Sequence, residues 1–349
     1  MDQYESVLVI AVLGGGHGAL AAAGDLAIRG FTVRLALRNR NRFAELFETG
    51  RVTLTGALEG TGELALVTDD HAAATRGADL VLVPLPAIAQ VAMAERVAPA
   101  VHDGQLVALL PGNLGSQAMR RALPGAVFAE TATLPYGARQ RGPAAAGLAL
   151  VAHHNPTGAF PSADTDAVIA RLREVYHVTE PVENALSAAL LNSNGALHAP
   201  LVLLSAAPIE RLGEYDIHVE GTTPSVRRVI AALDEERIAL RQALGYTSPH
   251  WPLMDYYADA DWFYGRGAYS RVQRDSVWRE KLDFGHRYVA EDVGCGLVLW
   301  SSLGRALGVP TPLADACIQL ASVLTGVDYR ATGRTLESLG LARNDLRRL

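Results

Sequence analysis

The first half of the chain alternates short apolar runs with amphipathic or alanine-rich ones. Residues 7–13, 32–37, 80–83, 106–110 and 126–130 form β-rich, mostly apolar runs, a pattern that predicts buried strands. Between them, residues 19–29, 43–49, 87–97 and 116–122 carry the spacing of helices. Strand, helix, strand, repeated in this way, predicts a parallel sheet covered on both sides. Residues 51–68, with turns at Gly56, Gly60 and Gly62, predict an inserted strand pair. Residues 147–152 predict one more strand, 153–164 a loop, and 166–176 a helix. Beyond Pro181 the pattern becomes helical: one long apolar helix over 183–205, an amphipathic helix over 225–244, and helices over 296–307 and 312–324 joined by Gly308-Val309-Pro310-Thr311. The aromatic-rich stretch 246–286 has no clear period, which predicts a lid or a pocket wall.

Composition sharpens this outline without changing it. At 349 residues the chain is long enough for two cores. Its two cysteines, Cys295 and Cys317, are too few for a disulfide framework and lack zinc-site spacing, so they are expected to be packing residues in a reducing cytoplasm. No metal site is expected, and the adjacent His153 and His154 are expected to be loop residues. A net charge of -6 argues against binding a nucleic-acid backbone, which requires a basic face. The first apolar run lacks a basic leader and runs into glycines, as a buried strand does and a signal peptide does not. No apolar stretch is long enough for a bilayer span.

The strand over 7–13 leads into Gly14-Gly15-Gly16-His17-Gly18-Ala19 and then a helix, the G-x-G-x-x-A form of a dinucleotide fingerprint. Gly14 permits the tight turn, Gly16 lets a pyrophosphate approach the backbone, and Ala19 allows close packing of helix on sheet. The phosphates then sit at the helix N-terminus, with His17 and Gly18 beside them. An unmodified ribose calls for a carboxylate at the end of the second strand. The chain instead reads Arg38-Asn39-Arg40-Asn41-Arg42. That favours NADP(H), with Arg38 the first candidate and Asn39 beside it, and leaves NAD(H) open; the competing reading is a solvated basic turn. Pro84, after one strand, and Asn113, after another, stand at carboxyl ends where ligands bind. Asn113 is read equally as a nicotinamide contact and as a helix-start turn residue.

In the second half, Asn192-Ser193-Asn194-Gly195-Ala196-Leu197-His198-Ala199-Pro200 puts polar groups into an apolar helix, with Asn194 and His198 on one face. Burying them requires polar partners or a ligand. A second cluster runs from His286 to Gly296, and its Asp292 reads either as a helix cap or as the group that fixes a histidine tautomer. Arg271 and Arg274 read either as a carboxylate-binding pair or as surface arginines.

These motifs resemble one family. The fingerprint, Thr133-Leu134-Pro135-Tyr136-Gly137, the Asn-x-Asn-x-x-x-His run ending at His198, and Arg287-Tyr288-x-x-Glu291-Asp292 followed by Gly296-Leu297-Val298 are similar to the octopine/nopaline (opine) dehydrogenases. The resemblance implies an N-terminal Rossmann NAD(P)-binding domain over 1–180 and an all-helical substrate and catalytic domain over 181–349. It further implies reductive condensation of an amino acid's amine with an α-keto acid. His198 would be the acid/base, Asp292 its partner, Tyr136 a cofactor neighbour and Asn194 a substrate neighbour. His17 departs from the small or amide residue common at that position, and the stretch 246–285 matches no family substrate pattern. Two rivals accompany this reading: a reductase of a simple carbonyl or preformed imine, and a non-catalytic NADP-binding interaction protein. A homodimer is expected from the long apolar helical faces.

Overall fold

The computed structural model describes residues 7–275, 278–346 and 349. Twelve strands are found among them: β1 (Val9–Leu13), β2 (Thr32–Ala36), β3 (Arg51–Gly56), β4 (Gly60–Glu63), β5 (Leu66–Thr68), β6 (Leu80–Val83), β7 (Leu106–Leu109), β8 (Val127–Thr131), β9 (Tyr136–Gly142), β10 (Ala145–Val151), β11 (Asn155–Phe160) and β12 (Thr179–Pro181). Eight of them form one sheet in the order β12-β11-β8-β7-β6-β1-β2-β5, parallel except where β11 meets β8. The central strands β6 and β7, Leu-Val-Leu-Val and Leu-Val-Ala-Leu, are buried at every residue, because separate apolar layers cover the two faces of the sheet. Chain order reverses between β1 and β6. In such a sheet the ligand crevice opens at that point, beyond the carboxyl ends of the strands.

The fold class expected from the sequence is the one observed, with several local differences. The inserted segment holds three strands. β3 and β4 join β10 and β9 in a second, four-stranded sheet, while β5 returns to the edge of the main sheet. Helix α1 (His17–Ile28) packs on this second sheet, and Gly62 lets the strand lie against the helix backbone, since a Cβ there would stand 2.7 Å from the Gly24 carbonyl oxygen. The expected loop 153–164 contains β11, and β9 was not anticipated. Downstream of Pro181 the described regular elements are helical, apart from one isolated bridge between Tyr215 and Glu280.

The expected long helix over 183–205 is two helices, Ala185–Leu191 and Asn194–Leu203. Asn192 breaks it. Its backbone turns extended, its side-chain oxygen accepts from the Asn194 N–H, and its amide reaches another loop. The later expected helix starts with a π-helical turn, Asp292–Leu297, before continuing as Val298–Leu307. No helix among the described residues is long and apolar enough to cross a membrane.

Candidate active site

The glycine loop leaves β1 at the crevice. Gly14 has φ of +126°, and a Cβ there would lie 2.6 Å from Leu85, so the end of β1 touches the loop after β6. At Gly16 a Cβ would meet nothing within 4 Å, which leaves open space over the α1 N-terminus where an anion is favoured. Gly18 and Ala19 are buried in the first turn, and Gly18 abuts Leu134. His17 occupies a constrained position: its Nδ1 accepts from the Gln140 backbone N–H at 2.7 Å, so a neutral ring carries its proton on Nε2. Burial, aided by Arg139 and Arg287, holds its pKa down at about 4.

The loop after β2 is exposed, and Arg38, Asn39, Arg40 and Asn41 line one open recess. Arg40 stacks on Phe47 and Arg42 bonds Gln140, while the Asn39 side chain accepts from the Arg42 N–H. Open backbone at Gly16, a helix N-terminus and a cationic recess past β2 suit the diphosphate and adenosine parts of a nicotinamide dinucleotide.

His198 and Asp292 meet. His198 Nδ1 lies 2.7 Å from Asp292 Oδ2, and both residues are buried, 7% and 2% exposed. Two glycines permit the approach. The Gly195 position faces Leu297 and the Asp292 carbonyl, and Gly296 faces the Gly195 Cα, so the His198 helix seats directly on the π-helical turn. With Nδ1–H directed at the carboxylate, Nε2 is the ring's basic nitrogen. Burial and the cations Arg287, His286 and Arg139 push the imidazole well below its usual pKa, while burial pushes Asp292 up to about 7 against the pull of Arg287. These are two aspects of one coupled pair, for which burial disfavours charge separation.

The dyad stands among aromatic and cationic groups. Tyr288 stacks on the His198 ring at a centroid distance of 4.0 Å, and His218 lies edge-on at 5.5 Å. Arg139 from β9 donates to the Tyr288 hydroxyl and to Glu280 and lies over the Trp278 ring. The dyad is joined to the glycine loop through β9: Arg139 bonds the Tyr288 that stacks on His198, and the next residue, Gln140, donates its N–H to His17. The Asn192 amide donates to Asn113 Oδ1 at 2.7 Å, which ties the loop after β7 to the start of the His198 helix. Asn113 sits there at φ of +52°.

The other residues singled out in the sequence divide between the crevice and positions away from it. Tyr136 points into the core, where its hydroxyl donates to Asp25 at 2.7 Å and neighbours Tyr176. The Arg271 guanidinium donates to the backbone carbonyls of Arg266 and Tyr264. Arg274 is exposed on the helix Ala268–Asp275. Asn194 opens the His198 helix, partly buried, with its N–H held by Asn192. Pro84 follows β6 at the crevice, beside the Leu85 that Gly14 touches. Arg139 and His218 stand outside every motif read from the sequence, whereas His286 opens the second cluster. Arg287 stood inside a quoted motif, at a spacing of five before Asp292, and that spacing was the available signal.

Comparison with known proteins agrees with this fold. Residues 181–325 match the family described as NAD/NADP octopine/nopaline dehydrogenase, alpha-helical domain. An opine dehydrogenase of Arthrobacter sp. (strain 1C) is 33% identical over 345 residues, covering 95% of each chain. Among solved structures, an octopine dehydrogenase with NADH and L-arginine superposes with a TM-score of 0.75 at 18% identity over 98% of both chains. A yersinopine dehydrogenase with NADP+ bound gives 0.69 at 19% identity, over 98% of this chain and 97% of that one. With the relatives, the fold indicates a nicotinamide-dependent oxidoreductase acting on a CH–NH group. The chain belongs to the opine dehydrogenase family.

Proposed function

We propose that the enzyme condenses the amine of an amino acid with an α-keto acid and reduces the resulting imine, with NADPH preferred over NADH. The observation that carries this reading is the buried His198–Asp292 contact of 2.7 Å, linked through Tyr288 and β9 to His17 of the glycine loop. When bound, the nicotinamide supplies hydride to the imine carbon. His198, neutral because of burial and neighbouring cations, takes a proton from the substrate ammonium and returns one to the departing hydroxyl. Asp292 fixes its tautomer and supports the transient imidazolium. Arg287 supplies the charge for a substrate carboxylate, the task first considered for Arg271 and Arg274. Tyr288 and His218 wall the dyad.

The NADP reading is supported by the arginines after β2 and the lack of a carboxylate there. A reducing, cytoplasmic setting is supported by the free, buried Cys295 and Cys317. A homodimer is supported by the exposed Leu320 and Val323 near the end of the helix Pro312–Thr325 and Val327 just beyond it.

The test is nucleotide oxidation across pairs of amino acids and keto acids, with product masses. Turnover that requires both partners and yields a mass equal to their sum less one oxygen atom is expected. Equal turnover without any amine overturns condensation in favour of simple carbonyl reduction. For the cofactor, Arg38→Ala is expected to raise the NADPH KM roughly tenfold or more, the loss of one charged hydrogen bond, and to leave NADH nearly unaffected.

A further inference from the structure

Beyond the dyad, a buried hydrogen-bonded clamp joins the two halves, and catalysis as described above does not use it. Arg334 follows the short helix Tyr329–Thr332, beyond the matched family region, and is 8% exposed. Its backbone N–H donates to the Gly294 carbonyl within the π-helical turn that carries Asp292. Gly333 makes that approach possible, since a Cβ there would stand 2.6 Å from the Gly294 oxygen. From this anchor the guanidinium crosses to the nucleotide-binding half. It donates to the Asn113 carbonyl at 2.5 Å, the Ala87 carbonyl at 3.1 Å and Gln90 Oε1 at 3.3 Å.

Glu291 reaches across from the same turn, its Oε1 accepting from the Ala87 N–H at 2.9 Å. The helical half therefore holds both backbone groups of Ala87, three residues after Pro84. The second loop is braced from behind. Glu130, fully buried, accepts from the N–H groups of Leu114 and Ser116, and Gln90 donates to the Gly112 carbonyl. Arg334 is the cation that acts on both buried carboxylates, Glu130 and Glu291. The loop it grips also carries the Asn113 side chain that bonds Asn192 at the start of the His198 helix.

A guanidinium buried with three acceptors on two loops fixes distance and direction at once, which a point charge cannot do. We infer that Arg334 is a positioning residue for hydride transfer: it sets the two nicotinamide-side loops, 84–90 and 111–116, at a fixed height over the His198–Asp292 pair. The inference rests on the reading given under Proposed function.

Arg334→Lys and Arg334→Met test it in the full-length enzyme. The readouts are kcat, substrate KM, NADPH affinity by fluorescence titration, and the primary isotope effect with NADPH deuterated at the transferred position. In Arg334→Met, kcat is expected to fall at least tenfold and the isotope effect to rise, while NADPH affinity stays within about threefold of wild type. Arg334→Lys is expected to recover less than half of the loss. Folded variants with wild-type kcat and isotope effect, altered only in melting temperature, overturn the inference; should Arg334→Met fail to accumulate, Arg334→Lys decides on the same readouts. Amide exchange over 84–90 and 111–116 reads the clamp without turnover. Faster exchange in the variants supports it, and unchanged exchange sinks it even if wild type reduces no amine and keto acid pair, the result that would defeat the parent reading instead.

Discussion

At the scale of single residues, the chemistry rests on an imidazole kept neutral and a carboxyl kept from ionising fully. His198→Gln keeps a polar side chain of similar reach but cannot cycle a proton, so kcat/KM is expected to drop on the order of a hundred- to ten-thousand-fold. The NADPH dissociation constant, measured by fluorescence, is expected to stay near wild type; a parallel loss of nucleotide binding would place His198 in cofactor binding. Glu291 allows a separate test through stability. Burial, reinforced by Asp292, pushes its carboxyl from 4.5 up to about 7. The folded state therefore holds a proton that the unfolded state has released between about pH 4.5 and 7, and this group's contribution to stability falls as pH rises across that window. Glu291→Gln removes the titration and keeps an acceptor for the Ala87 N–H. Relative to wild type, the variant is expected to gain on the order of 3 kcal/mol between pH 5 and pH 8, read from urea unfolding. A difference independent of pH would show that the carboxyl ionises normally.

At the scale of elements, what the sequence made legible follows from how each element is buried. Continuous apolar runs marked β1, β6 and β7 because both faces of the sheet are covered there, while β2 and β8 carry Arg34 and Glu130 among their apolar residues. The strand β11, Asn-Pro-Thr-Gly-Ala-Phe, reads as a loop by composition, yet it is buried over its first five residues. Its Gly158 is demanded by the Asn184 backbone, against which no Cβ fits. The break at Asn192 was hidden for the opposite reason. Both flanking helices are apolar nearly throughout, and periodicity cannot show a break inside a segment with no polar face. His198 and Asp292 are 94 positions apart, and their meeting depends on Gly195 and Gly296, which no local pattern marks as partners. Family resemblance carried that pairing. It also offered Tyr136 as a cofactor neighbour, whereas β9 turns the side chain under α1 toward Asp25. Tyr136→Phe withdraws a donor from a carboxylate that is 8% exposed, at a cost of roughly 1–3 kcal/mol. A lower melting temperature with an unchanged NADPH KM is the expected result, and a KM raised fivefold or more would return Tyr136 to the cofactor site.

At the scale of the whole molecule, the two halves differ in architecture but do not have separate interiors. Leu114 and Ala132, from loops at the carboxyl ends of β7 and β8, are fully packed within the apolar cluster of the helical half. Hydrogen bonds from Asn192, Glu291 and Arg334 cross between the halves at buried positions. A boundary with these properties costs too much to open independently, because unpaired buried polar groups would be left on both sides. The chain is therefore expected to unfold as one cooperative unit despite its length. A nucleotide bound at the glycine loop stabilises by mass action, about 2.7 kcal/mol at a hundredfold excess over its dissociation constant. In a coupled molecule that gain belongs to every element, including the helix Pro312–Thr325 far along the chain. Calorimetry with and without NADPH is expected to show a single transition that moves upward intact. Two transitions, with only the first responding to the nucleotide, would mean that the helical half melts on its own and that the contacts across the crevice transmit little.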